Sequence, residues 1–307
     1  MSETIKHVKK KKPTAQKGVV LLAFGNRQYM EMAFNMACSL KFHNPDIVIQ
    51  VATEERFYSE QYSWAFDIVT ILGEKITHRD GKLNPAQVKC AVYDIAYFKH
   101  NLYLDVDGCA LADVTPLLDK LSEEKGYYRT VVIGWGSKEE EDYEYNIWAK
   151  HSDLWDHYNL TEEAKIPAIQ SSVAYFRKPD SAKFFEIVKA HDKNRLDVKD
   201  LTMTWGPPGS PRDIFPDELT FNVSIAKMGI KPDIEPNPIY FGQRHEPNLA
   251  DVLKRKTILS IYGNKGLTHP TVLKYYDRYM SKVMRKYSRM HEYKSHRLIK
   301  YKHANGK

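Results

Sequence analysis

Residues 18–24 (GVVLLAF) form a continuous apolar run that breaks at Gly25-Asn26-Arg27. A run of that length fits a strand buried on both faces, and the Gly-Asn pair marks a turn. Beyond it, Met32, Ala33, Met36, Ala37 and Leu40 recur at helical spacing, and Asn44-Pro45 stops that helix. Residues 47–52 (IVIQVA) and 68–72 (IVTIL) read as a second and a third strand. Pro85 opens a further helical pattern over 85–99, and the short apolar run 102–104 leads straight into Asp105-Val106-Asp107-Gly108. Strands alternating with helices predict an α/β fold with a mostly parallel central sheet flanked by helices. Ligands of such sheets gather at the carboxyl ends of the strands, where residues 24–26 and 105–107 both fall.

The second half is less regular. Residues 131–135 and 171–176 read as strands, and 181–191 and 217–229 as helices. The acidic run 139–142 reads as a solvated loop, and 205–216, rich in Pro and Gly beside Trp205, as a lid-like loop. From Thr271 onward, Leu273, Tyr276, Met280, Val283, Tyr287 and Met290 recur at helical spacing, with basic residues at 282, 285, 286 and 289 between them.

Charge refines this picture. The net charge is +7 over 307 residues, but residues 1–17 carry six lysines against Glu3, and residues 282–307 carry nine Lys/Arg against Glu292. The body between them is mildly acidic. The chain is thus expected to comprise a disordered basic arm (1–17), an α/β domain (18–270) and a basic amphipathic C-terminal helix with its tail (271–307). Clustered cations are attracted to phosphate-rich surfaces, so the tails suggest a polyanionic partner, an anionic membrane or nucleic acid. No stretch approaches the roughly 20 apolar residues of a membrane span, and the N-terminal residues lack the apolar segment of a secretory signal. Cys38, Cys90 and Cys109 form no paired motif and sit among apolar neighbours, as small core residues do. These features favour a cytoplasmic protein, peripheral at a membrane where the tails engage one.

The chemistry concentrates in residues 102–108, LYLDVDG. Two carboxylates one residue apart, leaving a strand at its carboxyl edge, suit a hard divalent cation through oxygen ligands. Mg²⁺ or Mn²⁺ held there would bridge the phosphates of a nucleoside diphosphate and stabilise charge growing on a departing phosphate.

Two segments resemble a known family. Residues 22–43 (LAFGNRQYMEMAFNMACSLKFH) and 84–108 (NPAQVKCAVYDIAYFKHNLYLDVDG) resemble, in order and spacing, the opening strand-turn-helix and the lysine-bearing helix with its LYLD-x-D strand of glycogenin-like GT-A glycosyltransferases. Residues 169–173 (IQSSV), and Asp217-Glu218 followed by Asn222, are weaker echoes. The resemblance implies a GT-A fold and transfer of a sugar from a nucleotide-diphosphate sugar, a UDP-sugar by analogy, to a hydroxyl acceptor. It implies that Ala23, Phe24, Gly25, Asn26 and Tyr29 hold base and ribose, that Lys89 reaches the donor phosphates or sugar, and that Asp105 and Asp107 bind the metal, Asp105 also lying near the donor. It further implies that Gln170 and Ser171 face the transferred sugar, and that Asp217 and Glu218 lie at the reacting centre as catalytic carboxylates.

One departure stands out. The family's third metal ligand is a His that precedes a Gly by three residues, and here Ser260 stands in that place before Gly263. His269 is the nearby replacement, and His245 a second candidate. Two other classes share these features: a nucleotide-sugar-binding scaffold without activity, and a metal-dependent nucleotidyltransferase. The acceptor expected is an envelope glycan or lipid-linked sugar, or a hydroxylated base in DNA, while a protein or soluble glycan acceptor would leave the tails as solvated ends.

Overall fold

The computed structural model describes residues 5–10, 14–124, 126, 128–138, 151–195, 217–243, 246–261 and 268–290. The acidic run 139–142, the loop 205–216, His245, Gly263 and the tail beyond 290 lie outside the described residues.

Seven strands form the central sheet: β1 (Ile5–Lys10), β2 (Lys17–Ala23), β3 (Ile49–Thr53), β4 (Ile68–Leu72), β7 (His100–Leu104), β9 (Tyr128–Gly136) and β10 (Ile166–Arg177). A short hairpin, β5 (His78–Arg79) with β6 (Lys82–Leu83), stands apart from it, and a three-stranded sheet joins β8 (Gly108–Ala110) to β11 (Ile239–Phe241) and β12 (Ile258–Ser260). The helices are α1 (Arg27–His43), α2 (Glu60–Ser63), α3 (Glu74–Thr77), α4 (Pro85–Cys90), α5 (Val92–Ile95), α6 (Thr115–Glu123), α7 (His151–Tyr158), α8 (Ala182–Lys193), α9 (Asp217–Met228), α10 (Leu249–Leu253) and α11 (Pro270–Met290).

The central order is β1-β4-β3-β2-β7-β10-β9. Its middle, β4-β3-β2-β7, is parallel. The outer strands β1, β10 and β9 each run antiparallel to their neighbours. Each strand of the middle is buried on both faces, which explains its continuous apolar character. Val19 and Leu21 of β2 join one core with α1, whereas Val20 and Leu22 join a second with α4, α8 and α9. The same alternation along β7 sends Leu102 and Leu104 to the first core and Tyr103 to the second. Asp105, two residues after Tyr103, therefore emerges on the α4 side of the sheet.

The expectation of a disordered N-terminal arm is corrected. Residues 5–10 are not part of a disordered arm: they pair with the edge strand β4 from Ile5↔Leu72 to Lys10↔Ile68. His7 Nδ1 lies 2.8 Å from Thr70 Oγ1, and Ile5 packs on the second core. The unpaired backbone of β4 supplies the driving force that the lysine-rich sequence conceals. Helix α11 is the expected C-terminal amphipathic helix. Its apolar face, Val272, Tyr276, Met280, Val283 and Tyr287, is buried in the first core. The 85–99 pattern is two short helices rather than one, with Asn84 Oδ1 capping α4 by accepting the Gln87 N–H at 3.0 Å. All three cysteines are free and buried. No described helix is long and apolar enough to cross a membrane.

Candidate functional site

The site lies at the carboxyl ends of β2, β3 and β7. Chain reversal after β2 needs Gly25, whose φ of +87° falls in the left-handed region that favours glycine. The Gly25 N–H donates to Glu54 Oε2 at 2.6 Å, and Arg56 donates to Glu54 Oε1 at 2.6 Å. Glu54, immediately after β3 and nearly buried, thus fixes the turn from the adjacent parallel strand. Asn26 caps α1: its Oδ1 accepts the Tyr29 N–H at 3.3 Å. Phe24 packs against the second core and Tyr29 against the first, and Ala23 is fully buried at the end of β2. Leu83 of the β5-β6 hairpin lies over Gly25, and Arg79 on that hairpin is ion-paired to Asp192 of α8.

Lys89 is the hub. Its Nζ lies 3.2 Å from either oxygen of Asp105 and 3.2 Å from Asp217 Oδ2, and it donates to Ser171 Oγ at 3.1 Å. Ser171 Oγ in turn donates to Glu218 Oε1 at 3.0 Å. The Tyr103 hydroxyl donates to Asp105 Oδ1. Four elements, α4, β7, β10 and α9, thereby meet around one ammonium. Burial works against the charge on Lys89, but Asp105, then Asp217, Tyr103 and Glu218 outweigh it and hold its pKa well above the usual lysine range. Burial, then Asp105, raises the Tyr103 hydroxyl. Burial, followed by Asp107 and Asp105, raises that of Tyr29.

Asp217 and Glu218 occupy the first turn of α9, where the helix dipole favours negative charge. Their environments differ. Asp217 is balanced by Lys89. Glu218 is pushed up to about 7, by burial first and by Asp217 second, against the opposing pull of Lys89 and Ser171. One turn further along the same helix face, Asn222 is fully buried, and neither atom of its carboxamide has a hydrogen-bond partner among the described residues. An orphaned amide of that kind costs about 1–3 kcal/mol and marks a place for a polar ligand or water.

The sequence-derived residues do not all converge. Lys89, Asp105, Ser171, Asp217 and Glu218 form one network. Gln170 makes no side-chain hydrogen bond among the described residues. His269 does not gather with the Asp-x-Asp carboxylates: no group of three or more His, Cys, Asp or Glu arranged for a metal occurs among the described residues. His269 Nδ1 instead accepts the Thr271 N–H at 3.2 Å, at the start of α11. Ser260 pairs in register with Gly108. The Ile261 N–H donates to the Asp107 carbonyl at 2.8 Å, so β12 fixes the backbone of the motif. Gly108 is required by this approach, since a Cβ there would sit 2.1 Å from the Leu259 carbonyl oxygen. Two participants escaped the sequence reading. The signal for Tyr103 is its place two residues before Asp105, on the same strand face, and that for Glu54 only an acid following an apolar run.

Solved structures resemble this fold at low sequence identity. The bifunctional glycosyltransferase WbbM matches at a TM-score of 0.54 and 11% identity over 90% of this chain, and the chain spans about half (52%) of that structure. The apo form of the glycosyltransferase GlyE from Streptococcus pneumoniae TIGR4 matches at 0.51 and 11% identity, over 90% of this chain and 64% of its own. An active-site mutant of LgtC matches at 0.50 and 11% identity, over 88% of this chain and 95% of its own. No protein-family profile and no curated protein sequence matches the chain. The chain has the GT-A type fold of nucleotide-sugar glycosyltransferases.

Proposed function

We propose that the chain is a metal-dependent glycosyltransferase that moves a sugar from a nucleotide-diphosphate sugar to a hydroxyl acceptor. The observation that carries this reading is the Lys89 hub, a cation shared by the Asp-x-Asp edge, β10 and the two carboxylates that open α9. The glycosyltransferase identity of the structural neighbours supports it through the fold.

The residues present fit a hard divalent cation, Mg²⁺ or Mn²⁺. Asp105 and Asp107 would hold it through carboxylate oxygens, the ligand type such ions take. When bound, the cation supplies charge stabilisation for the departing diphosphate. The side chains around it divide the other tasks. Lys89 offers an ammonium to the diphosphate as negative charge develops there. Ser171 and the unpartnered amide of Asn222 offer hydrogen bonds to sugar hydroxyls. Gly25, held by Glu54, allows the backbone close to the nucleoside, with Tyr29 and Leu83 beside it. As the C1–O bond to the phosphate breaks and the C1–O bond to the acceptor forms, the acceptor loses a proton. Glu218, with its pKa near 7, is the carboxylate suited to receive it, whereas Asp217 is committed to Lys89.

Incubation with a panel of UDP-, GDP- and dTDP-sugars in Mg²⁺ or Mn²⁺ tests the proposal. The expected products from one donor are free sugar, by slow hydrolysis without acceptor, and the nucleoside diphosphate. Release of pyrophosphate or a nucleoside monophosphate would identify a nucleotidyltransferase instead, and binding without turnover of any donor would identify a scaffold.

A further inference from the structure

Helix α11 carries a second feature outside the candidate site. Burying its apolar face against the body leaves Lys274, Arg278, Lys282, Arg285 and Lys286 exposed. At 100° per residue these five fall within an arc of about 120°, nearly opposite the buried face. Lys274, Arg278, Lys282 and Lys286 follow one another at four-residue intervals, so like charges face each other turn after turn, an arrangement that destabilises an isolated helix. Among the described residues no carboxylate pairs with Lys274, Arg278, Lys282 or Arg285. Asp277, the single exposed acid on this helix, lies at the flank of the arc. Lys286 is partly satisfied, donating to the Phe42 carbonyl at 3.1 Å, and the ammoniums of Lys282 and Lys286 lie over the Phe42 ring at 5.7 and 4.7 Å. Among the described residues the helix thus carries a basic stripe about 18 Å long with no paired carboxylate.

We propose that this stripe docks the protein on a bilayer surface bearing anionic headgroups. A row of charges on a convex helix meets a plane along its whole length, whereas a nucleic acid duplex crossing it meets it over a turn or two. The apolar face is already occupied, so the helix does not insert. Attachment is electrostatic, reversible and salt-sensitive, with each cation near an anionic surface contributing roughly fivefold in partitioning.

Co-sedimentation of the full chain with two-to-one phosphatidylcholine/phosphatidylglycerol vesicles, and with phosphatidylcholine alone, tests this. Binding is expected only to the anionic vesicles, with release at high salt. The variant Lys274→Gln, Arg278→Gln, Lys282→Gln, Arg285→Gln keeps Lys286 and the basic tail and should partition at least about 10²-fold more weakly. Asp277→Lys, which needs no disruption of the helix, should strengthen binding severalfold. Donor hydrolysis should be unchanged in both. Equal vesicle binding by the wild type and the glutamine variant, absence of wild-type binding, no gain in Asp277→Lys, or binding of a short DNA duplex in preference to vesicles would each overturn the proposal.

Discussion

Glu218→Gln is expected to lower turnover by about 10²–10⁴-fold, the usual contribution of a positioned proton acceptor, and to remove one limb of the pH profile. Glu218 carries the strongest structural sign of that role. Its carboxyl sits beside Asp217 with its pKa raised to about 7, and Ser171 fixes one of its oxygens. Because the ionised form is the one that accepts a proton, wild-type kcat should fall as pH drops below about 7. The amide variant should show no inflection there. The same shift makes a separate statement about stability. A carboxyl whose folded pKa lies above its ordinary value binds its proton more tightly in the native state. Its stabilising contribution is therefore complete below about pH 4.5 and is lost as pH rises through about 7. Denaturant midpoints across this window should decline with pH in the wild type and decline less in Glu218→Gln. A variant that keeps both the kinetic inflection and the stability slope would show that another group titrates.

Lys89→Met should cost about 10²–10³-fold in turnover, since it deletes a fixed donor aimed at the departing diphosphate. It should also lower the stability of the unliganded protein by on the order of 3 kcal/mol, because Asp105 and Asp217 would be left in a partly buried site without their cation. A merely exposed lysine would produce neither effect. The two readouts separate the roles: thermal unfolding reads the ion pairs, and single-turnover kinetics at saturating donor read the chemistry. Full activity in a destabilised variant would confine Lys89 to a structural task.

The strands that were legible in the sequence share a physical property. β2, β3, β4 and β7 are buried on both faces, so each carries a short apolar run, such as Val19–Ala23 or Leu102–Leu104, that stands out in the sequence. The Asp-x-Asp motif was legible for the same reason, as an abrupt charge after such a run. β1 was hidden because an edge strand tolerates lysines, and its pairing partner lies some 60 residues away. The β8-β11-β12 sheet was hidden because its strands have three residues each, too few to show a period. The site divides in the same way. Lys89 and Asp105 lie within one segment, and their spacing carried the resemblance. The meeting of Lys89 with Asp217, and of Glu54 with Gly25, depends on how distant elements pack, and no local pattern encodes it. His269, suggested as a ligand by its proximity in sequence to Gly263, accepts the Thr271 N–H at the start of α11. The amphipathic pattern of α11 was read correctly as a helix, but its apolar side faces α1 and the first core.

The central proposal is that the carboxylates at 105 and 107 grip a diphosphate through a divalent cation, and calorimetric titration of UDP addresses it most directly. The wild type is expected to bind UDP at least about tenfold more tightly with Mn²⁺ or Mg²⁺ than in EDTA, and Asp107→Asn, still folded, is expected to lose that gain. Equal affinity with and without the cation, or an undiminished gain in Asp107→Asn, would contradict it.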